Sequence, residues 1–191
     1  MSNHQQVGEA QPDRRDVMAV AGAIVLTAAG TAVSQAQGAG GGPLSPAVPI
    51  VLPKTEFVYE AMFDLGETMD HGPGPLGVRR NVPILGGVFE GPKLKGKVIP
   101  TGGADRQLVR KDGVRMLDAL YDLQTEDGAV ITVHNRVTIA PRPDGSTYSF
   151  SKIDITAPEG KYDWMNRLVF VGTLHSLRPQ PKVLIRVYSL G

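Results

Sequence analysis

Residues 86–137 read GGVFEGPKLKGKVIPTGGADRQLVRKDGVRMLDALYDLQTEDGAVITVHNRV. Short apolar runs are cut here by Gly-rich turns. Within Val114–Leu123, Leu117, Ala119, Tyr121 and Leu123 share one face, and Asp118 and Asp122 take the other. Within Ala129–Ile139, Ala129, Ile131, Val133, Val137 and Ile139 share a face, with Thr132, His134, Arg136 and Thr138 opposite. A period of two marks half-buried strands. The Asp-Gly pairs at Asp112-Gly113 and Asp127-Gly128 suit tight hairpin turns, so Arg106–Val109, Val114–Leu123 and Ala129–Ile139 should pair in succession.

The pattern extends outward in both directions. Thr55–Leu65 places Phe57, Tyr59, Ala61, Phe63 and Leu65 on one side and Glu56, Glu60 and Asp64 on the other. His71–Gly77 (HGPGPLG) reads as a loop, because Pro fixes φ and Gly frees it. Val82–Glu90 is a strand interrupted by Gly86-Gly87, a pair expected at a bulge or a close backbone approach. Leu94–Ile99, Thr147–Thr156, Leu168–Leu177 and Lys182–Leu190 bring the total to about nine strands, with one helical turn over Lys161–Arg167. Hairpin-linked antiparallel strands curl to remove their edges. The expected fold is all-β: a small closed antiparallel β-barrel with little helix. A two-sheet sandwich is the alternative.

The chain has 191 residues, enough for one domain with a proper core. A net charge of +1 gives no global field to attract nucleic acid or an anionic membrane. The absence of cysteine excludes a disulfide framework, a thiolate metal site and a Cys nucleophile.

Residues 1–36 read as a twin-arginine-type signal peptide. Arg14-Arg15 precedes the uncharged run Val17–Val33, and Ser34 and Ala36 supply the small residues of a cleavage site before Gln37. The run is short and mild for a spanning helix, so no stable membrane insertion is expected after cleavage. An uncleaved anchor and a chance Ala-rich tail are the alternatives. The expected location is periplasmic or secreted. Residues 37–53 form a Gly/Pro-rich linker, and the folded domain runs over 54–191.

The informative residues are polar side chains on faces that otherwise look buried. Asn135 falls between Val133 and Val137 and should point inward. An unpaired buried amide costs about 1–3 kcal/mol, so it needs a partner or a ligand. Tyr121 carries a hydroxyl inward on its own strand. Asp105 and Gln107 alternate with Val109 and sit beside a Gly-Gly turn at a barrel mouth. Arg79 and Arg80 follow a Gly-Pro loop, where they would clamp a carboxylate or remain solvated. Trp164 and Asn166 lie in the aromatic-polar cluster Tyr162–Asn166, as a plug packed over a barrel end or as lining of the mouth. His71, His134 and His175 have no metal-site spacing. Gly102-Gly103 is too short for a phosphate loop, and Ser146, Ser149 and Ser151 lack a nucleophile elbow. No metal or cofactor is expected.

The motifs Gly77-Val78-Arg79-Arg80-Asn81-Val82-Pro83, Gly86–Pro92, Gly102-Gly103-Ala104-Asp105 and Tyr162–Arg167, with the two Asp-Gly turns, occur in the order seen in the UPF0311 (DUF3237) family. The chain resembles that family over roughly residues 54–190. The resemblance implies a small all-β barrel and little about chemistry, since the family's function is largely unassigned. Arg106 stands where the family often has Trp after Gly-Gly-Ala-Asp, and Met165 replaces Leu in its Trp-Leu-Asn element.

Three functions fit these residues. The first is an exported barrel that binds a small molecule, with Asn135, Tyr121, Asp105, Gln107 and Arg79 orienting it and Trp164 and Asn166 at the mouth. The second is a cofactor-independent isomerase, lyase or hydratase, with Asp105 as general base and Tyr121 and Asn135 donating to a developing oxyanion. The third is a structural module with an occluded interior. A homo-oligomer is compatible with all three.

Overall fold

The computed structural model describes residues 44, 45 and 47–191, so the signal-peptide reading lies outside the described residues. Residues 49–191 form one compact unit. Its strands are β1 (Thr55–Leu65), β2 (Met69–Gly74), β3 (Gly77–Glu90), β4 (Lys95–Val98), β5 (Ala104–Val109), β6 (Arg115–Thr125), β7 (Val130–Pro141), β8 (Thr147–Thr156), β9 (Phe170–Ser176) and β10 (Lys182–Leu190). A 3-10 turn, Asp163–Arg167, joins β8 to β9.

The strands form one antiparallel sheet closed on itself, because β1 pairs with β10 on one side and with β3 on the other. Between β3 and β6 one strand position is shared. β4 occupies its lower half and β5 its upper half. The ring therefore has eight positions: β1, β3, β4/β5, β6, β7, β8, β9 and β10. The barrel and the alternating faces of β6 and β7 are as the sequence indicates. Leu117, Ala119, Tyr121 and Leu123, and Ile131, Val133, Asn135, Val137 and Ile139, are all buried.

Three details depart from the sequence reading. Met69–Gly74 is a tenth strand rather than part of a loop. Pro73 is tolerated because β2 pairs only with β3 and borders no second strand. A bulge between Asp70 and Gly72 is held by the Gly72 amide donating to Asp70 Oδ1 at 2.8 Å, with Gly72 at φ 73°. Accordingly β3 begins at Gly77, five residues before Val82, and Arg79 and Arg80 take opposite faces of it. Near the start of β1, a register shift between Phe57 and Tyr59 turns Val58 inward and leaves Phe57 44% exposed.

Gly86-Gly87 marks a close backbone approach. A Cβ on Gly87 would lie 2.0 Å from the carbonyl oxygen of Met62, at the β1–β3 crossing that closes the ring. The lower half of the barrel is filled by Tyr59, Phe89, Leu123, Ile131, Val133, Phe170 and Val187. The 3-10 turn plugs that end. Met165 is buried, and Trp164 meets Phe170 edge-on at 6.4 Å. Asn166 Oδ1 accepts from the Ala157 amide at 2.8 Å while its Nδ2 donates to the Ala157 carbonyl at 3.0 Å. Tyr162 donates to Asp127, which Lys161 and Thr125 also contact.

Substitution at the closing seam is expected to be severe. Gly87→Ala forces backbone apart at φ 139°, whereas Gly145→Ala at φ 79° meets nothing within 4 Å. Urea unfolding should show a loss above ~3 kcal/mol for the first and about 1–2 kcal/mol for the second.

Candidate active site in the open end of the barrel

The end opposite the plug is hollow. A cavity of about 1010 Å³ opens between the ends of β1, β7 and β9, the starts of β3 and β6, and the β9–β10 loop. Strand pairing arranges its lining in tiers. Asp105 pairs with Ala119 and Ala119 pairs with Asn135, so the acid and the amide flank one methyl group at the same level. Their backbones are two strand spacings apart, roughly 10 Å, which leaves the small Ala119 as a platform between them. One tier nearer the mouth, Arg80 pairs with Gln107, Gln107 with Leu117 and Leu117 with Val137. One tier deeper, Tyr121 faces the interior, stacked edge-on against Phe63 at 4.8 Å. Gly103 preserves this packing, since a Cβ there would come within 3.3 Å of both Tyr121 and Ile84.

The polar groups fall into two kinds. Asp105 is held: its Oδ2 accepts from Gln107 Nε2 at 2.6 Å and its Oδ1 from the Asp118 amide at 3.1 Å. Burial is the largest influence on this carboxyl and raises its pKa, against those two hydrogen bonds and the charge of Arg115. It is the single acidic side chain among the cavity-lining residues. The second kind is unsatisfied. Of the cavity-lining groups, Tyr121 Oη and Asn135 Oδ1 are buried with no hydrogen-bond partner of ordinary geometry, as is Tyr59 Oη in the packed core below. The Tyr59 hydroxyl faces Tyr121, and Tyr121 faces the Asn135 amide. Desolvation pushes both phenols up, so both stay protonated donors at neutral pH. A protonated Tyr121 can donate to an oxygen on a bound molecule that carries or develops negative charge, as can the Asn135 amide nitrogen, while the unpaired Asn135 Oδ1 accepts from a donor.

Asp105, Gln107, Tyr121 and Asn135 thus line one cavity. Arg79 does not. The early start of β3 turns it outward, where it borders a shallow cleft with His71, Leu76 and Arg106, and Arg80 takes the inward place. Trp164 and Asn166 sit at the plugged end and not at the mouth, because the turn that carries them joins the lower ends of β8 and β9. Arg115 and Arg178 also line the cavity, and the sequence reading passed over both. Arg115 was detectable, since it continues the inward parity of Leu117, Ala119 and Tyr121; Arg178 lies on a loop and left no such signal. Among the described residues no three His, Asp or Glu side chains gather at metal-binding distance.

Residues 53–190 match the family model described as a protein of unknown function, DUF3237. The chain belongs to the DUF3237 family. A UPF0311 protein of Rhodopseudomonas palustris is 39% identical over 151 residues, covering 72% of this chain and 96% of that protein. A second, from strain TIE-1, is 40% identical over 82 residues, and the chain spans only 53% of its length. Among solved structures, a beta-barrel like protein of Acinetobacter baumannii aligns with TM-score 0.69 at 27% identity, covering 75% of this chain and 99% of that one. A hydroalkoxylation enzyme of Penicillium herquei is 27% identical over 121 residues, 63% of this chain and 74% of that protein.

The geometry yields two expectations. An unsatisfied Asn135 Oδ1 destabilises the empty barrel, so Asn135→Leu should raise the free energy of unfolding by about 1–3 kcal/mol in urea titration. A loss of that size would mean the amide is a structural partner. The second concerns pH. A carboxyl with a raised folded-state pKa binds its proton more tightly in the native state. Its stabilising contribution is complete below the unfolded value of 3.8 and is lost as pH rises through the raised one. Asp105→Asn should therefore remove a downward slope of stability that begins near pH 3.8, read from the difference in Tm between variant and parent across pH.

Proposed function

We propose that the open end of the barrel binds one compact, largely apolar small molecule and transfers a proton on it, with Asp105 as general base and Tyr121 and Asn135 facing the charge that develops. The observation that carries this reading is the tier itself: one buried acid of raised pKa level with an unpaired amide, above an unpaired phenol. Unpaired buried polar groups are costly, and they are found where strain serves a site. The aliphatic walls, Leu117, Val137, Ile139, Leu174 and Ile185, suit an apolar body.

The reaction class that fits is addition or elimination at a carbon–carbon double bond. Asp105 removes the proton of a hydroxyl, the oxygen bonds to one alkene carbon, and the adjacent carbon receives the proton. Read backwards, the same steps eliminate. The similarity to a fungal hydroalkoxylation enzyme supports this class. Binding without turnover is the rival reading, and it shares the same cavity.

Incubating an extract of host metabolites with the protein and with Asp105→Asn separates the two. Catalysis predicts that mass spectrometry finds a substrate converted by the parent protein and at least ~100-fold more slowly by the variant, which retains it bound. If both proteins carry the same unaltered molecule, the proton-transfer reading is wrong.

We place this activity outside the cytoplasm, on the strength of Arg14-Arg15 and the uncharged run that follows. Replacing both arginines with lysine should leave the protein in the cytoplasmic fraction. Unchanged fractionation would overturn the export assignment.

A further inference from the structure

Four cationic side chains line the cavity, Arg80, Arg115, Arg178 and Lys182, against the single acid Asp105. Two of them already have partners. Arg80 Nε lies 3.4 Å from Asp70 Oδ2, and Lys182 Nζ lies 2.6 Å from Asp64 Oδ1. Arg115 and Arg178 form no ion pair and no side-chain hydrogen bond with any described residue.

Their positions are fixed by the fold. Arg115 is half-buried on the inward face of β6, in line with Leu117, Ala119 and Tyr121, and its charge reaches Asp105. Arg178 sits on the β9–β10 loop, between Ser176 and Pro179 to Pro181 in the cavity lining. That loop is anchored to the barrel rim by the Leu65 amide donating to the Pro181 carbonyl at 2.8 Å. Both guanidinium groups belong to the mouth, with apolar walls below.

Arg115, half-buried above apolar walls, loses part of its hydration without a counter-charge, while Arg178 is exposed on the rim, and the low-dielectric walls focus the field of both inward. Asp105 does not balance the pair. Its carboxyl is already held by Gln107 and the Asp118 amide, and even fully ionised it leaves one of the two positive charges uncompensated. An anionic group on the ligand would supply the counter-charge that the protein does not give this pair.

The geometry points to an amphipathic carboxylic acid as the ligand, with its carboxylate bound at the mouth by Arg115 and Arg178 and its apolar body lying on Ala119 between Asp105 and Asn135. The planar fork of a guanidinium matches a carboxylate in two parallel hydrogen bonds, which a neutral head group cannot reproduce. This inference rests on the reading of the cavity as a ligand site, and it adds the chemical class of that ligand. It also sets the ligand's orientation. The anionic end faces solvent and the reactive end lies in the tier of unsatisfied groups.

Isothermal titration of the full chain with 2-naphthoate and with 2-naphthamide tests it, because the two probes share a ring system and differ in charge. Naphthoate should bind at least ~10-fold more tightly. That preference should disappear in Arg115→Gln and in Arg178→Gln, while naphthamide binding in the same variants stays within about twofold and shows the cavity still formed. It should also weaken with added salt. Equal affinity of the parent protein for both probes, or a preference that survives both substitutions, would overturn the carboxylate assignment and leave the cavity reading standing. Binding of neither probe would overturn the cavity reading, and the assignment with it.

Discussion

Closing a sheet on itself commits every second residue of each strand to one shared interior. Such a barrel can bury an apolar core along part of its length, and whatever else the inward positions hold must then face that same interior. In this chain the inward parity of β5, β6 and β7 carries Asp105, Tyr121 and Asn135 to adjacent tiers, and Ala119 leaves space between them. The pocket is therefore a consequence of strand register. A one-residue slip of β6 against either neighbour would send its inward residues to solvent and disperse the site.

The two ends of the barrel are built differently. At one end large side chains and the 3-10 turn fill the interior, and the turn's polar groups are satisfied by Ala157, Asp127 and Asp163. At the other end the interior is open, the loop between β9 and β10 forms part of the rim, and two inward polar atoms, Tyr121 Oη and Asn135 Oδ1, lack a partner of ordinary geometry. This contrast separates structural polar residues from candidate functional ones better than residue type does. Asn166 is an exposed amide and Asn135 a buried one. The exposed one has its oxygen and nitrogen both bonded to backbone, and the oxygen of the buried one has no hydrogen-bond partner of ordinary geometry.

Much of this was legible in the sequence because period-two alternation is a strong signal. It was enough to turn Asn135 and Tyr121 inward, to separate the faces of β6 and β7, and to propose a closed barrel. It failed where local chemistry overrides periodicity. The Gly-Pro run before β3 looked incompatible with a strand, yet an unshared edge and an Asx-type contact from Asp70 accommodate it. That error displaced the start of β3 and assigned to Arg79 the place that Arg80 holds. The bulge at Val58 similarly reversed Phe57. The plug illustrates another limit. Trp164 and Asn166 lie between two strands in sequence, and which barrel end they cover depends on strand direction, which composition does not carry. Arg178, on a loop without periodicity, was readable only from the folded chain.

The central claim is that the unsatisfied tier around Ala119 exists to meet a small molecule. Native mass spectrometry of the protein purified from its own cells tests it most directly, with Asp105→Asn alongside to hold a ligand that the parent turns over. The expected result is added mass of one small organic acid on the variant, lost on denaturation and absent when Ala119→Phe fills the platform. Clean apo masses for both the parent and Asp105→Asn would contradict the account, and would leave these side chains as an interior network without a ligand.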